Sequence, residues 1–102
     1  MTANEVLKLV KDATGVDVAE LKGKGLGLQT HARYCAIVIM HEEGIKCHQI
    51  ADFLGVHRVL PFRALERIKV LLEDKSNCSR SNEFKWLYLK CIAKIAEMED
   101  AA

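Results

Sequence analysis

Arg63 and Arg67 stand four residues apart, just after the neighbouring pair His57 and Arg58. On a helix that spacing puts both guanidinium groups on one face, where they can meet a phosphate or a base edge. No other set of side chains offers comparable chemistry. The four histidines (His31, His41, His48, His57) form no His-x-x-x-His or Glu-x-x-His pair of the kind that holds zinc. Cys47 and His48 are adjacent, so on a helix they point about 100° apart and do not make a nucleophile and its base. The cysteines Cys35, Cys47, Cys78 and Cys91 contain no Cys-x-x-Cys and read as reduced, mostly buried thiols. Gly23-x-Gly25-x-Gly27 lacks both the spacing of a phosphate-binding loop and a preceding strand. Catalysis, a metal site and a cofactor are therefore not expected.

The elements that must position the arginines read as helices. Thr2-Ala3-Asn4-Glu5 has the form of a capping box, Val6, Leu7, Leu9, Val10 and Ala13 continue as an apolar stripe, and Gly15 stops it. Asp17-Val18-Ala19-Glu20 repeats the capping pattern before Leu21, which predicts a short second helix. A third helix is predicted from Thr30 to Glu43, ending at Gly44. Its centre, residues 34–40, is apolar on every side; a buried strand would look the same, but its length favours a central helix. Two helices over 46–54 and about 58–73 flank Gly55. After the polar break 75–82, Phe84, Leu87, Tyr88, Cys91, Ile92, Ile95 and Met98 recur at helical spacing and predict a last helix over 82–98. The result is an all-α chain of 102 residues, a single domain by length.

Residues 46–72 fit a helix-turn-helix. Ala51 is small where a second helix must cross closely, and Gly55, four positions on, tolerates a left-handed turn. Phe62, Leu65, Ile68 and Leu72 are expected to point inward, with Val59, Arg63, Glu66, Arg67 and Val70 outward. On pattern alone, an ordinary helical hairpin with a solvated basic face fits equally well. Net charge is only +1, but residues 44–70 hold five basic residues against two acidic, a local +3. No apolar run is long enough to span a bilayer, and the N-terminal residues show no secretory pattern, so a cytoplasmic location without membrane contact is expected.

Residues 5–73 resemble the C-terminal DNA-binding domain of the bacterial replication initiator DnaA, a Trp repressor-like helix-turn-helix fold. The likeness is carried by Val16-Asp17-Val18-Ala19-Glu20-Leu21, by Ala32-Arg33 at the head of the central helix, by Ile50-Ala51-Asp52-Phe53-Leu54-Gly55, and by Ala64-Leu65-Glu66-Arg67-Ile68. The last helix has no counterpart in that domain. The departures fall on the DNA-reading positions. Where the family has Arg-Asp-His-Thr-Thr-Val, this chain has Val56-His57-Arg58-Val59-Leu60-Pro61, and the basic loop is reduced to Lys22 and Lys24 among glycines. Pro61 fits only a first turn, which puts the helix start near Arg58.

The resemblance implies binding of double-stranded DNA, in replication initiation or its regulation, with altered or relaxed sequence specificity. The residues expected to touch DNA are Lys22, Lys24, Arg33, Lys46, His48, Gln49, His57, Arg58, Val59, Arg63 and Arg67. A small-molecule substrate is not expected. The competing reading is a protein-interaction module. In it Val59, Leu60, Phe62 and Val70 form an apolar patch for a partner, and the added helix, with Trp86 and Tyr88, either packs on its own domain or forms a homodimer.

Overall fold

A computed structural model describes residues 1–22, 28–75 and 79–101. Lys24, the glycine-rich loop and Cys78 lie outside the described residues. Among these residues six helices run in order: α1 (Ala3–Thr14), α2 (Val18–Leu21), α3 (Leu28–Glu42), α4 (Cys47–Leu54), α5 (Leu60–Glu73) and α6 (Ser79–Ala101). There is no strand among the described residues. Among the described residues, no helix is long and apolar enough to cross a membrane.

Helix α1 begins where its sequence says. The Thr2 hydroxyl accepts from the Glu5 amide at 3.3 Å, and the Glu5 carboxylate accepts from the Thr2 amide at 3.2 Å. The hydrogen bond from the Thr2 amide, followed by the Thr2 side chain, holds the Glu5 carboxyl below its ordinary range. Gly15 closes the helix at φ 79°, a left-handed cap that favours glycine. The capping pattern at Asp17 does not operate. Its side chain makes no cap hydrogen bond, and its carboxylate lies 3.7 Å from Lys11 Nζ instead. Helix α2 is accordingly a single turn.

Helix α3 is the axle of the domain. Ala32 and residues 35–40 are buried, and the helix touches every other helix. That explains its apolar composition on all sides, which amphipathic periodicity cannot produce. The cysteines Cys35 and Cys91 meet inside the core, between α3 and α6, as free thiols. A hydrogen bond to Cys91, with burial, pushes the Cys35 thiol well above its ordinary range, so it stays protonated. Cys47 is also free and buried.

Helix α6 is longer than the predicted 82–98 and packs against α1, α3 and α5. Its core face is Ser81, Phe84, Leu87 and Cys91, with Tyr88 and Ile95 half-buried. Ile92 and Met98, expected on that face, are exposed. The start of the helix is pinned to the end of α5: Ser81 Oγ donates to the Asp74 carboxylate at 2.6 Å, and Lys85 Nζ donates to the Asp74 carbonyl.

Tyr88 fastens the middle of α6 to the end of α3. Its hydroxyl donates to Glu42 Oε1 at 3.0 Å, and burial, followed by that carboxylate, pushes its phenol up to about 12. A folded-state value above the unfolded one means that the contribution is complete below about pH 10 and is lost between about pH 10 and 12. Urea unfolding across that window is expected to show the wild type losing on the order of 1 kcal/mol more than Tyr88→Phe, after allowance for solvent screening of a half-exposed phenol. Parallel stability curves for the two proteins would remove Tyr88 from the account.

Candidate nucleic-acid interface

Helices α4 and α5 are joined by residues 55–59. Gly55 ends α4 at φ 69°, and the Val56 amide reaches back to the Ala51 carbonyl at 3.0 Å. The next residues turn into α5 around His57. The Val59 amide donates to His57 Nδ1 at 3.2 Å and the Leu60 amide to the His57 carbonyl at 3.0 Å. His57 thus occupies amide groups that a helix start leaves without partners. Helix α5 starts at Leu60, two residues after the predicted start near Arg58, and Pro61 sits in its first turn. His57, Arg58 and Val59 therefore belong to the connector and are exposed.

The buried side of α5 is Pro61, Ala64, Ile68 and Leu71. Phe62, expected inside, is 60% exposed, and Leu72 is also exposed. Size misleads here. Small Ala64 lets α5 lie close to α3, and the stripe it belongs to wins over the bulkier one through Phe62 and Leu72. Leu65 is half-buried and Ile68 buried, as expected.

A cleft of about 540 Å³ runs between α3 and α5. Thr30, Arg33 and Tyr34 line one wall; His57, Val59, Leu60, Arg63, Ala64 and Arg67 line the other. A second cleft of about 400 Å³ shares Thr30, Tyr34 and Arg67 and extends past His31 and Glu83 to Ser79 and Arg80, at the start of α6. His31 Nδ1 and Glu83 Oε1 lie 2.5 Å apart across it. The furrow therefore carries Arg63, Arg67 and Arg80 along its length. With the described residues, Arg58, Arg63 and Arg67 form no ion pair. Their charge is available to an outside anion.

The other expected contacts are distributed differently. Arg33 is only 5% exposed: its Nε donates to the Leu21 carbonyl at 2.9 Å and a terminal nitrogen to the Glu20 carbonyl at 3.1 Å. Desolvation pulls its pKa below the ordinary value. This arginine fastens α2 to α3 and is spent inside the fold. Lys46, His48 and Gln49 are exposed at the start of α4 and do not line the cleft. Gln49 Oε1 accepts from the Lys46 amide at 3.2 Å, so part of its side chain serves as a helix cap. Lys22 stands 4.8 Å above the Phe53 ring of α4. Sequence reasoning missed Thr30, Tyr34 and Arg80. The first two stand three residues before and one residue after Arg33 on the same helix, and Arg80 lies in the polar stretch 75–82, in the first turn of α6. Among the described residues, no three His, Cys, Asp or Glu side chains are grouped to hold a metal ion.

Comparison with protein-family models, with curated proteins and with solved structures finds no match to this chain.

Proposed function

We propose that this chain binds double-stranded DNA through the connector 55–59 and the adjoining side of α5, in the manner of a divergent DnaA-like or Trp repressor-like helix-turn-helix, with a role in replication initiation or its regulation. The observation that carries this reading is the gathering of His57, Arg63 and Arg67 on one wall of a cleft, with Arg58 exposed beside it and none of the arginines paired to a described carboxylate. Guanidinium groups in that state suit phosphate oxygens, which position a protein on DNA without reading sequence.

Specificity is expected to be relaxed. Val59 and Phe62 offer only apolar contacts near the start of α5, where a groove reader carries hydrogen-bonding side chains. Lys22, Lys46 and His48 add charge outside the cleft, while Arg33 drops out of the proposed contact set.

Fluorescence anisotropy tests the reading with three labelled duplexes: one carrying the DnaA recognition sequence, one scrambled and one A·T-rich. Binding in the micromolar range is expected at about 50 mM salt. If Arg58, Arg63 and Arg67 each meet a phosphate, three contacts give a loss of about 40-fold between 50 and 200 mM. Arg58→Ala and Arg63→Ala should each weaken binding several-fold, and Phe62→Ala should leave it within about twofold. No binding at low salt sinks the DNA reading.

A protein-interaction module is the second reading, and the exposure of Phe62, Val59 and Val70 favours it. It predicts that a partner is lost on Phe62→Ala or Val59→Asp, with the arginine variants indifferent.

A further inference from the structure

The side of α6 turned away from the core carries a pattern that packing within one chain does not use. Trp86 and Leu89 are 55% and 65% exposed, and Ala93 and Ala96 are exposed after them. Positions 86, 89, 93 and 96 follow one line along a helix. The line is graded: both large residues lie in its first half and both small ones in its second. Charge is graded in the same sense. Lys90 flanks the large residues, with its ammonium 3.7 Å above the Trp86 ring, and Glu97 flanks the small ones with a side chain 72% exposed.

We infer that α6 pairs antiparallel with α6 of a second copy of this chain, the two helices crossing at Ala93. Antiparallel pairing sets Leu89 against the small residues of the partner helix and brings Lys90 of each copy beside the opposite Glu97. Parallel pairing would stack large on large and align like charges. Residues on one flank of a helix meet the same flank of an antiparallel partner, and Lys90 and Glu97, seven apart, share a flank. Each pair occurs twice about the two-fold axis, which closes the assembly at two copies. Alanine at the crossing allows the axes to approach to about 8 Å. The contact between Lys94 and Glu97, 3.8 Å apart on the same helix, is exposed and is given up at little cost. One helix face is a small interface, so a dissociation constant on the order of 100 µM is expected.

Sedimentation velocity on the full chain, from about 10 µM to about 1 mM, tests the pairing. The wild type should shift from monomer to dimer across that range, and Leu89→Glu should stay monomeric with unchanged helix content and melting temperature. The charge pair gives the sharper test. Lys90→Glu and Glu97→Lys should each be monomeric alone, because each sets like charges together twice, and an equimolar mixture should recover dimer. A wild type that stays monomeric throughout overturns the pairing. So does a mixture no more associated than its components. Neither outcome depends on DNA.

Discussion

Phe84→Ala is expected to destabilise the chain by about 3–5 kcal/mol in urea unfolding, the largest effect of any single substitution considered for the core. Phe84 is fully buried and holds α6 to α3 through rings on three sides. Its ring stacks on Tyr88 with centroids 5.9 Å apart and meets His31 and Tyr34 edge-on at 6.2 and 6.4 Å. Truncation loses the transfer free energy of the ring and leaves a void that two helices must close around. A domain of this size has about 5–15 kcal/mol in all, so the variant should be partly unfolded at moderate temperature.

The consequence reaches past the core. Thr30, Arg33 and Tyr34 form the α3 wall of the cleft, and His31 and Tyr34 both touch the Phe84 ring. A domain that loosens at Phe84 therefore loosens the wall facing Arg63 and Arg67. Phe84→Leu, which keeps much of the volume, should cost less than about 1.5 kcal/mol. A loss under about 1 kcal/mol for Phe84→Ala would mean that α6 does not dock through this ring.

These particulars mark what a sequence can and cannot display. Helix ends set by one or two residues are readable: Thr2 with Glu5 begins α1, and Gly15, Gly44 and Gly55 end α1, α3 and α4 at positive φ. The starts of α3, α5 and α6 each fall two or three residues from the expected place. The central place of α3 follows from apolar residues on all sides. The inward face of α5 was not readable, because two overlapping stripes, one through Ala64 and one through Phe62, satisfy the same period. Tertiary approach chose the small residue. The contents of the site divide likewise. Arg63 and Arg67 were visible as a pair four apart, whereas Thr30, Tyr34 and Arg80 join them only through the packing of α3, α5 and α6. Charge alone could not separate Arg33 from its neighbours, since nothing in its surroundings announces carbonyls of a helix twelve residues earlier.

Arg33 gives the prediction that separates the fold from the proposed interface. Arg33→Met is expected to cost about 2–3 kcal/mol while leaving DNA affinity per folded molecule within about twofold. The last carbonyls of a helix have no intrahelical donor. Glu20 and Leu21 present theirs to the Arg33 guanidinium, whose rigid fork satisfies both at 3.1 and 2.9 Å. Methionine keeps the apolar stem but supplies no donor, so both carbonyls face a site from which Arg33 had excluded water. Part of that cost is returned, because the cation no longer has to be desolvated, and desolvation already depresses its pKa. Arg33→Lys keeps the charge and places one ammonium where two nitrogens stood, and should fall between wild type and methionine. Chemical unfolding and anisotropy on the same samples give both numbers. Stability unchanged with affinity reduced would return Arg33 to the DNA face; stability reduced with affinity held confines the proposed contacts to Arg58, Arg63, Arg67 and their neighbours.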